Sequence, residues 1–484
     1  MKTNNNFING KWVPSLEKES YPQRNPANFE QITGLWQKSG IRDVEYAIEA
    51  AQKAYKHWSI LTVHKRAEYL KKALSLMHER VDRIARVITT ENGKTLAESR
   101  MEIYSAIKEM EFQISEGLYR LGEVMPSGQD GVLAYSIRRP LGVVAVIAPW
   151  NFPFNVPVRK CIPALIAGNT CIFKPAQLTP GAGAEFVRLF EDADLPAGVL
   201  NFITGSGAVV GNALVKSPFI KAISFTGSTE VGTNIHKVAS ENLTRTQLEM
   251  GGKNAMVILK DADLEKAAKA ASEAAFVCSG QWCTATSRIV IEQPVLDDFL
   301  TLLIENVKKI VVGDGVRPDT GMGPVCGEAQ LENILSGIEK GKSEGAKIIV
   351  GGGQLKDGDL QKGYFIEPTI FTNVTSDMYI AQEEIFGPVL AVIAVDDFEQ
   401  AIYVADNVRF GLSSSIFTND LEKTHMFIER TDVGLTHVNI STAYKEPQLS
   451  FGGIKLSGFG IPEAGHTGLE FFTDHKVIYI KHNP

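Results

Sequence analysis

The sequence predicts an α/β protein built on parallel sheets with helices packed on both faces. Three observations carry that prediction. First, short and wholly apolar runs recur: GVVAVIAP (142–149), TCIFKPA (170–176), VLNFITG (199–205), AISFTG (222–227) and AMVILKD (255–261). Second, helix-length segments at 157–167, 180–193, 207–217 and 229–241 separate most of them. Strands apolar on both sides belong to a sheet covered on both faces, which is the parallel arrangement. Third, the chain has 484 residues, too many for one ordinary core, so two or three domains are expected.

Each element follows from its local pattern. FINGKWV places Asn9-Gly10 between short apolar runs, a hairpin signal. Between 42 and 58, Val44, Ala47, Ala51, Ala54, Tyr55 and Trp58 fall at helical spacing. Residues 64–80 and 82–118 read the same way, and a strand-like VLAYSIRRP follows Pro126-Ser127-Gly128. The apolar runs and their intervening helices come next. A second alternating series starts near 253 and continues through SRIVIEQ, AKIIVGGG and PVLAVIAV, which reads as a second α/β domain divided from the first at Gly251-Gly252. The tail HKVIYIKHNP reads as a strand, with Val477, Tyr479 and Lys481, able to join a sheet of its own chain or of another. No internal repeat or low-complexity linker interrupts the series.

Composition narrows the function classes. Hydrophobic residues make up 44% and charged residues 22%, the balance of a globular protein. The net charge is −7 with no Lys/Arg cluster, which argues against nucleic acid as a partner. No apolar run approaches the roughly 20 residues that span a bilayer, and the polar MKTNNNFING lacks the core of a signal peptide. The expectation is a cytoplasmic protein with no membrane partner. Cys161, Cys171, Cys278, Cys283 and Cys326 are odd in number and scattered, with no CxxC, so neither a disulfide framework nor a structural zinc site is expected. The nine histidines form no HxH or HxxxH pair, and no metal is expected.

Ligands of parallel sheets bind beyond the carboxyl ends of the strands, where Asn151, Lys174, Gly205 and Gly227 stand. GSGAVVG (205–211) holds Gly205, Gly207 and Gly211 at a strand-to-helix turn, spaced GxGxxxG instead of GxGxxG. FTGSTEVG (225–232) is a second such turn, with Gly227-Ser228 at the helix entrance. Helix N-termini offer free N–H groups to phosphate. One such turn is ordinary; two in succession point to a dinucleotide. Lys174 at a strand end is placed to bond ribose hydroxyls, though loop lysines are commonly just solvated. Gln177 stands where an acidic residue would hold the adenosine ribose and repel a 2′-phosphate, so the cofactor is NAD or NADP.

GQWCTATSR (280–288) offers Cys283 beside the small residues Gly280, Thr284 and Ala285. A lone cysteine is ordinarily a packed hydrophobe, and Cys278, on an apparent helix, reads as core. Cys283 gains from its company. Glu249 ends a strand before Gly251-Gly252, where burial would raise its pKa and suit it to general-base work. Asn151 sits between Pro149 and Pro153 in a stiff turn, where its amide could donate to an oxyanion. A surface carboxylate and a turn former are the plainer readings of these two. Thiol, amide and carboxylate at element ends beside a nucleotide-type sheet form a coherent acyl-transfer set.

Together the chain resembles the aldehyde dehydrogenase superfamily over nearly its whole length. PWNFP, FKPA, FTGSTEVG, LEMGGKN, GQWCTA, EEIFGPV (383–389) and FGGIKLSGFG (451–460) stand in order at the family's separations. The resemblance implies a Rossmann-like cofactor domain (1–120 and 142–252), a catalytic domain (253–455) and a small β oligomerisation arm (121–141 and 468–484), in a homodimer or homotetramer. It implies Cys283 as nucleophile, Asn151 with the Cys283 N–H as oxyanion hole, Glu249 as base and Glu463 as a second carboxylate aiding proton relay. Lys174 and Glu384 would hold the riboses of NAD or NADP, Phe386 would pack near the nicotinamide, and Gly207, Gly227 and Ser228 would line the pyrophosphate and adenosine side. Ile147, Pro149, Trp150, Gln177, Gly211, Phe225, Thr226, Val231 and Met250 complete the implied cofactor contacts.

The implied reaction is oxidation of a small aldehyde to its acid through a cysteine thiohemiacetal and thioester. The substrate class it points to is a semialdehyde, with Arg159 in PVRKCIPAL placed for a carboxylate and Phe152 and Trp282 as further substrate contacts. Two features pull the other way: Val277 stands where a second arginine is expected, and Trp282 narrows the site. Aromatic or medium-chain aliphatic aldehydes are the alternative. A CoA-acylating enzyme, or a non-catalytic homologue, are the remaining readings; the presence of Glu249 disfavours the former and that of Cys283 and Asn151 the latter.

Overall fold

The fold is known from a computed structural model, which describes residues 3–119 and 122–482. The expected segment ends at 1, 2, 120, 121, 483 and 484 lie outside the described residues. The apolar runs are strands. Val143–Ile147, Thr170–Lys174, Leu200–Phe202, Ile220–Thr226 and Arg245–Glu249 pair in parallel within an eight-stranded sheet. Their residues are almost all buried, as strands covered on both faces require. The hairpin Asn6–Ile8 and Lys11–Val13 extends one side of this sheet in antiparallel fashion, turning at Asn9 (φ 53°) and Gly10 (φ 74°). Gly458–Phe459 closes the other side against Arg245–Glu249.

Strand order reverses between Val143–Ile147 and Ile220–Thr226. From the first strand the chain winds outward through Thr170–Lys174 to Leu200–Phe202, then returns to wind the other way. Such a switch point leaves a crevice at the carboxyl ends of the two central strands. Register then fixes what stands there: Ile147 lies beside Lys174 and Phe225, and Thr226 lies beside Glu249.

The second sheet has seven strands, with Asn254–Ile258, Thr286–Glu292, Val389–Val395, Ser413–Phe417, Leu435–Val438 and Thr369–Thr372 running parallel and Lys347–Val350 antiparallel at one edge. A third sheet joins Gly122–Met125, Val132–Pro140 and the tail strand Thr473–Lys481, whose nine residues pair with Val132–Pro140 of the same chain. No helix among the described residues is long and apolar enough to cross a membrane.

Several local expectations are corrected. The stretch 82–118 is two helices, Val81–Asn92 and Leu96–Tyr119, because Gly93 turns left-handed at φ 98°. The helix carrying the 264–276 pattern stops at Phe276, so Cys278 is not helical; it is left-handed at φ 53° and buried. The 207–217 helix opens as a π-turn, Gly207–Gly211, before Asn212–Lys216. A ribbon of Ser20–Asn25 and Asn28–Gln37 forms where no strand was expected.

Candidate active site

The two sheets meet over a cleft of about 900 Å³ whose lining includes Asn151, Phe152, Arg159, Thr226, Glu249, Met250, Trp282, Cys283 and Glu463. Cys283 follows a tight passage. Cys278, Ser279 and Gly280 are successively left-handed at φ 53°, 56° and 67°. A Cβ on Gly280 would lie 2.2 Å from the carbonyl oxygen of Gly387, so only glycine lets GQWC cross EEIFGPV. Beyond Cys283, the Asn254 side-chain amide donates to the carbonyls of Cys283 and Ala285, both at 2.8 Å. The thiol is partly exposed and in no disulfide. Burial pushes its pKa up to about 12; Arg159 pulls it down, and Glu384, Glu249 and Glu463 push it further up. Cys161, Cys171, Cys278 and Cys326 are all buried.

Asn151 is buried, and its amide donates to the Gln281 carbonyl at 3.1 Å, two residues before Cys283. Its own carbonyl accepts from Lys94 Nζ at 2.6 Å. Lys94 is paired with Glu102 at 2.8 Å, and Glu102 in turn accepts from the backbone N–H groups of Phe154 and Asn155 at 2.8 and 3.0 Å. Glu98 completes a brace: one carboxylate oxygen caps its own helix at Thr95 N–H (2.7 Å), and the other accepts from Cys278 N–H (2.6 Å). Three side chains from one helix entrance thus hold the Asn151 turn and the Cys283 approach together.

Glu249 is buried and, among the described residues, its Oε2 has no hydrogen-bond partner. Burial, and then the neighbouring Glu463, raise its pKa well above the carboxylate range, against Lys160, Arg159 and the Gly453 N–H. Glu463 accepts from Lys160 Nζ at 2.6 Å and from Thr226 Oγ1 at 3.1 Å. Lys160 continues to Ser224 (2.9 Å), which donates to Gln247 (2.7 Å). Arg159 lies 3.2 Å from Glu109, 4.0 Å from Glu463, and 4.5 Å above the Phe451 ring. Phe152 and Trp282 pack with ring centres 5.1 Å apart.

The residues expected at a cofactor stand around the switch point. Lys174 is buried, its ammonium donates to the Pro175 carbonyl at 3.0 Å, and burial lowers its pKa to about 8. Glu384 accepts from Gly252 N–H at 2.9 Å, and enclosure raises its pKa to about 7. Phe386 is left-handed (φ 56°) and meets Trp150 edge-on at 5.4 Å. Ser228 caps the helix Thr229–Ala239 by accepting from Val231 N–H; Val231 is exposed, and Gly232 packs so that a Cβ would meet Met250 Sδ at 2.6 Å. A Cβ on Gly207 or Gly211 would meet nothing within 4 Å, which leaves an open shelf there. Ile147 and Phe225 are buried at their strand ends, Pro149 is half-buried in the following turn, and Gln177 is exposed on the loop after Lys174.

Lys94, Glu98, Glu102, Glu109, Lys160 and Lys445 were not singled out from the sequence. Lys160 carried a signal, since it sits beside Arg159 in an otherwise apolar helix, Asn155–Ala167, that is buried throughout. No group of three or more His, Cys, Asp or Glu among the described residues is placed to hold a metal.

Comparison with known proteins bears on all of this. A profile of the aldehyde dehydrogenase family matches residues 12–478. The chain is 44% identical over 476 residues to the alpha-ketoglutaric semialdehyde dehydrogenase of Bacillus subtilis, covering 98% of each chain. It is 41% identical to the 2,5-dioxopentanoate dehydrogenase of Saccharolobus solfataricus, over 97% of this chain and 98% of that one. Among solved structures, the betaine aldehyde dehydrogenase of Staphylococcus aureus in complex with NAD+ superposes with a TM-score of 0.96 at 34% identity, covering 100% of this chain and 96% of that one. An NADP-dependent enzyme of E. coli superposes with a TM-score of 0.95 at 33% identity, over 99% and 98%.

Proposed function

The chain belongs to the aldehyde dehydrogenase family, and on that premise we propose that it oxidises a short semialdehyde to the dicarboxylic acid, with water as the final acyl acceptor. The protein is an aldehyde dehydrogenase using NAD or NADP. The observation that carries the reading is one cleft holding a thiol, an amide, two carboxylates and a buried arginine.

The residues present fit a dinucleotide. The open shelf at Gly207 and Gly211 leaves room for phosphate beside backbone N–H groups. A buried Lys174 ammonium and the Glu384 carboxylate suit the hydroxyls of two riboses. Phe386 and Trp150 would border the nicotinamide. Gln177, neutral and exposed, neither repels a 2′-phosphate nor grips a 2′-hydroxyl strongly, which accords with a choice between NAD and NADP. When bound, the nicotinamide supplies the acceptor for the hydride that leaves the captured carbon.

This chain's own groups do the rest. Cys283 carries its proton at neutral pH, so attack on the aldehyde requires a base. Glu249 serves, because its raised pKa makes it a stronger proton acceptor than an ordinary carboxylate. The sulfur bonds to the carbonyl carbon, and the oxygen becomes an oxyanion facing the Asn151 amide and the Cys283 N–H. Removing one such donor commonly raises the barrier by about 3 kcal/mol. Attack by water on the later thioester again places its proton on Glu249. Glu463, fixed by Lys160 and Thr226, is the next carboxylate outward for that proton. A protein that passed its acyl group to CoA would have no use for this base.

The semialdehyde part rests on Arg159 and on the substrates named for the two bacterial and archaeal relatives. Neutral aromatic or aliphatic aldehydes are the competing substrates. The test is a matrix of aldehydes against NAD and NADP, with reduced cofactor followed by absorbance and the product identified without CoA present. The reading expects the highest kcat/KM for a four- or five-carbon aldehyde ending in a carboxylate, and free acid as product.

For the assembly, we infer a homodimer or homotetramer in the cytoplasm. The exposed apolar side chains of the third sheet support the first part, and five cysteines without a disulfide suit the second. The division into a cofactor domain (1–120 and 142–252), a catalytic domain (253–455) and an arm (121–141 and 468–484) is likewise our proposal, supported by the separate sheets.

A further inference from the structure

We propose that Lys445 is a specificity-determining residue, which together with Arg159 receives the terminal carboxylate of the substrate; this deepens, and rests on, the semialdehyde reading above. The argument begins with one oxygen atom. Glu109 Oε1 lies 3.2 Å from Arg159 Nε and 2.9 Å from Lys445 Nζ. Two cations therefore share a single carboxylate oxygen, while the other oxygen of Glu109 has no hydrogen-bond partner among the described residues. All three residues line the same cleft as Cys283. Arg159 and Glu109 are buried, and Lys445 is mostly so.

The ion pairs on this wall are uneven. The enclosed cations are Arg159, Lys160 and Lys445. The enclosed anions are Glu109 and Glu463, each already paired. Glu249 forms no ion pair with these cations among the described residues, and burial and Glu463 raise its pKa. Lys108, Glu273 and Glu446 also line the cleft but are exposed, where water and salt screen them. Arg159 and Lys445 thus have one close carboxylate between them in a largely desolvated place, and their like charges repel across Glu109. An enclosed charge is stable only when paired. The substrate's own carboxylate completes the set. Arg159, its guanidinium 4.5 Å from the Phe451 ring, is suited to a bidentate carboxylate, and Lys445, in the loop after Leu435–Val438, supplies a second charged donor. The same pairing disfavours a cationic aldehyde, since Glu109, the carboxylate between the two cations, is already occupied twice.

The test uses the full-length enzyme with its preferred nucleotide, and compares succinate semialdehyde and 2-oxoglutarate semialdehyde with butanal and pentanal. Wild type, Lys445→Met, Lys445→Arg and Arg159→Met are measured for kcat and KM separately. For Lys445→Met we expect KM for the two carboxylate-bearing aldehydes to rise about 10- to 100-fold, the loss of one charged hydrogen bond. The kcat values stay within about threefold, and KM for butanal and pentanal is unchanged. Lys445→Arg restores most of the loss. Equal changes for charged and neutral aldehydes would show a merely structural lysine and overturn the inference, as would no change for either. A wild type that favours butanal and pentanal sinks the semialdehyde reading itself. A wild type that favours the carboxylate-bearing aldehydes, with Arg159→Met impaired and Lys445→Met not, sinks only the role of Lys445.

Discussion

Cys283 is a protonated thiol in a place built to take its proton away on demand. Its pKa, pushed up to about 12 by burial, means that only a small fraction is thiolate at neutral pH. The thiolate is the reacting form, so alkylation of the substrate-free and cofactor-free enzyme by iodoacetamide should speed up close to tenfold per pH unit from 7 to 10. Mass spectrometry of the peptide carrying Cys283 gives the rate; a plateau near pH 8.5 would mean an ordinary exposed thiol. Cys283→Ala should lower turnover by at least about 10⁴-fold, with cofactor binding, followed by fluorescence or calorimetry, unaltered. Glu249→Gln keeps the size of the side chain but removes the base. Thiol attack and hydrolysis both lose their proton acceptor, so stopped-flow absorbance should show no fast burst of reduced cofactor, and steady turnover slowed about 10²- to 10⁴-fold. The sign with pH follows from the raised pKa: Glu249 is protonated below it, so the wild-type hydrolytic step gains rate as pH rises through a range well above the usual carboxylate midpoint of about 4.3.

At the scale of elements, the Asn151 turn and the approach to Cys283 are held by a helix entrance distant in sequence from both. Glu102→Gln removes the ion-pair partner of Lys94, leaving Glu98 as its nearby carboxylate, and weakens the acceptor for Phe154 and Asn155 N–H. Breaking a buried pair in this way costs about 3–5 kcal/mol of stability. We expect kcat to fall at least about tenfold, with cofactor affinity unchanged in the fraction that folds, and Glu102→Asp to recover part of the rate. A kcat equal to wild type would mean that the Asn151 turn holds itself. These residues show what the sequence could and could not convey. Glu98, Glu102, Glu109, Gln113 and Glu116 recur at spacings of four, seven, four and three along Leu96–Tyr119, and all are buried. Spacing alone cannot separate a polar stripe facing partners inside the protein from a solvated face, and the second is far more common. The parallel strands were legible because burial on both faces demands an unbroken apolar run. Ser20–Asn25 and Asn28–Gln37 were not, because Pro22, Pro26 and several asparagines give an edge ribbon the look of a loop. The motif-bearing turns were legible for a third reason: PWNFP, LEMGGKN and GQWCTA each need specific residues for backbone as well as for chemistry. Gly280, with no room for a Cβ, is the clearest case.

At the scale of the whole molecule, the third sheet is incomplete by itself. Thr473–Lys481 and Gly122–Met125 are its two edges, and both leave unpaired backbone on their outer sides. Val124, Met125, Leu133, Ile137, Val477, Tyr479 and Ile480 are all exposed, some by more than 70%. Three strands need an apolar face covered to be stable, and exposed edges bearing apolar side chains invite another chain. We infer that a second subunit lies on the arm. Light scattering after size exclusion should give a mass two or four times the 52.9 kDa of one chain at micromolar concentration. Placing charge on the arm with Val477→Asp and Tyr479→Asp together should lower that mass by at least one step of assembly. Both positions are far exposed in the single chain, so neither substitution disturbs a core, and circular dichroism should be unchanged. Wild type running at the mass of one chain, or a double variant that assembles as wild type does, would mean that the arm is not where subunits meet.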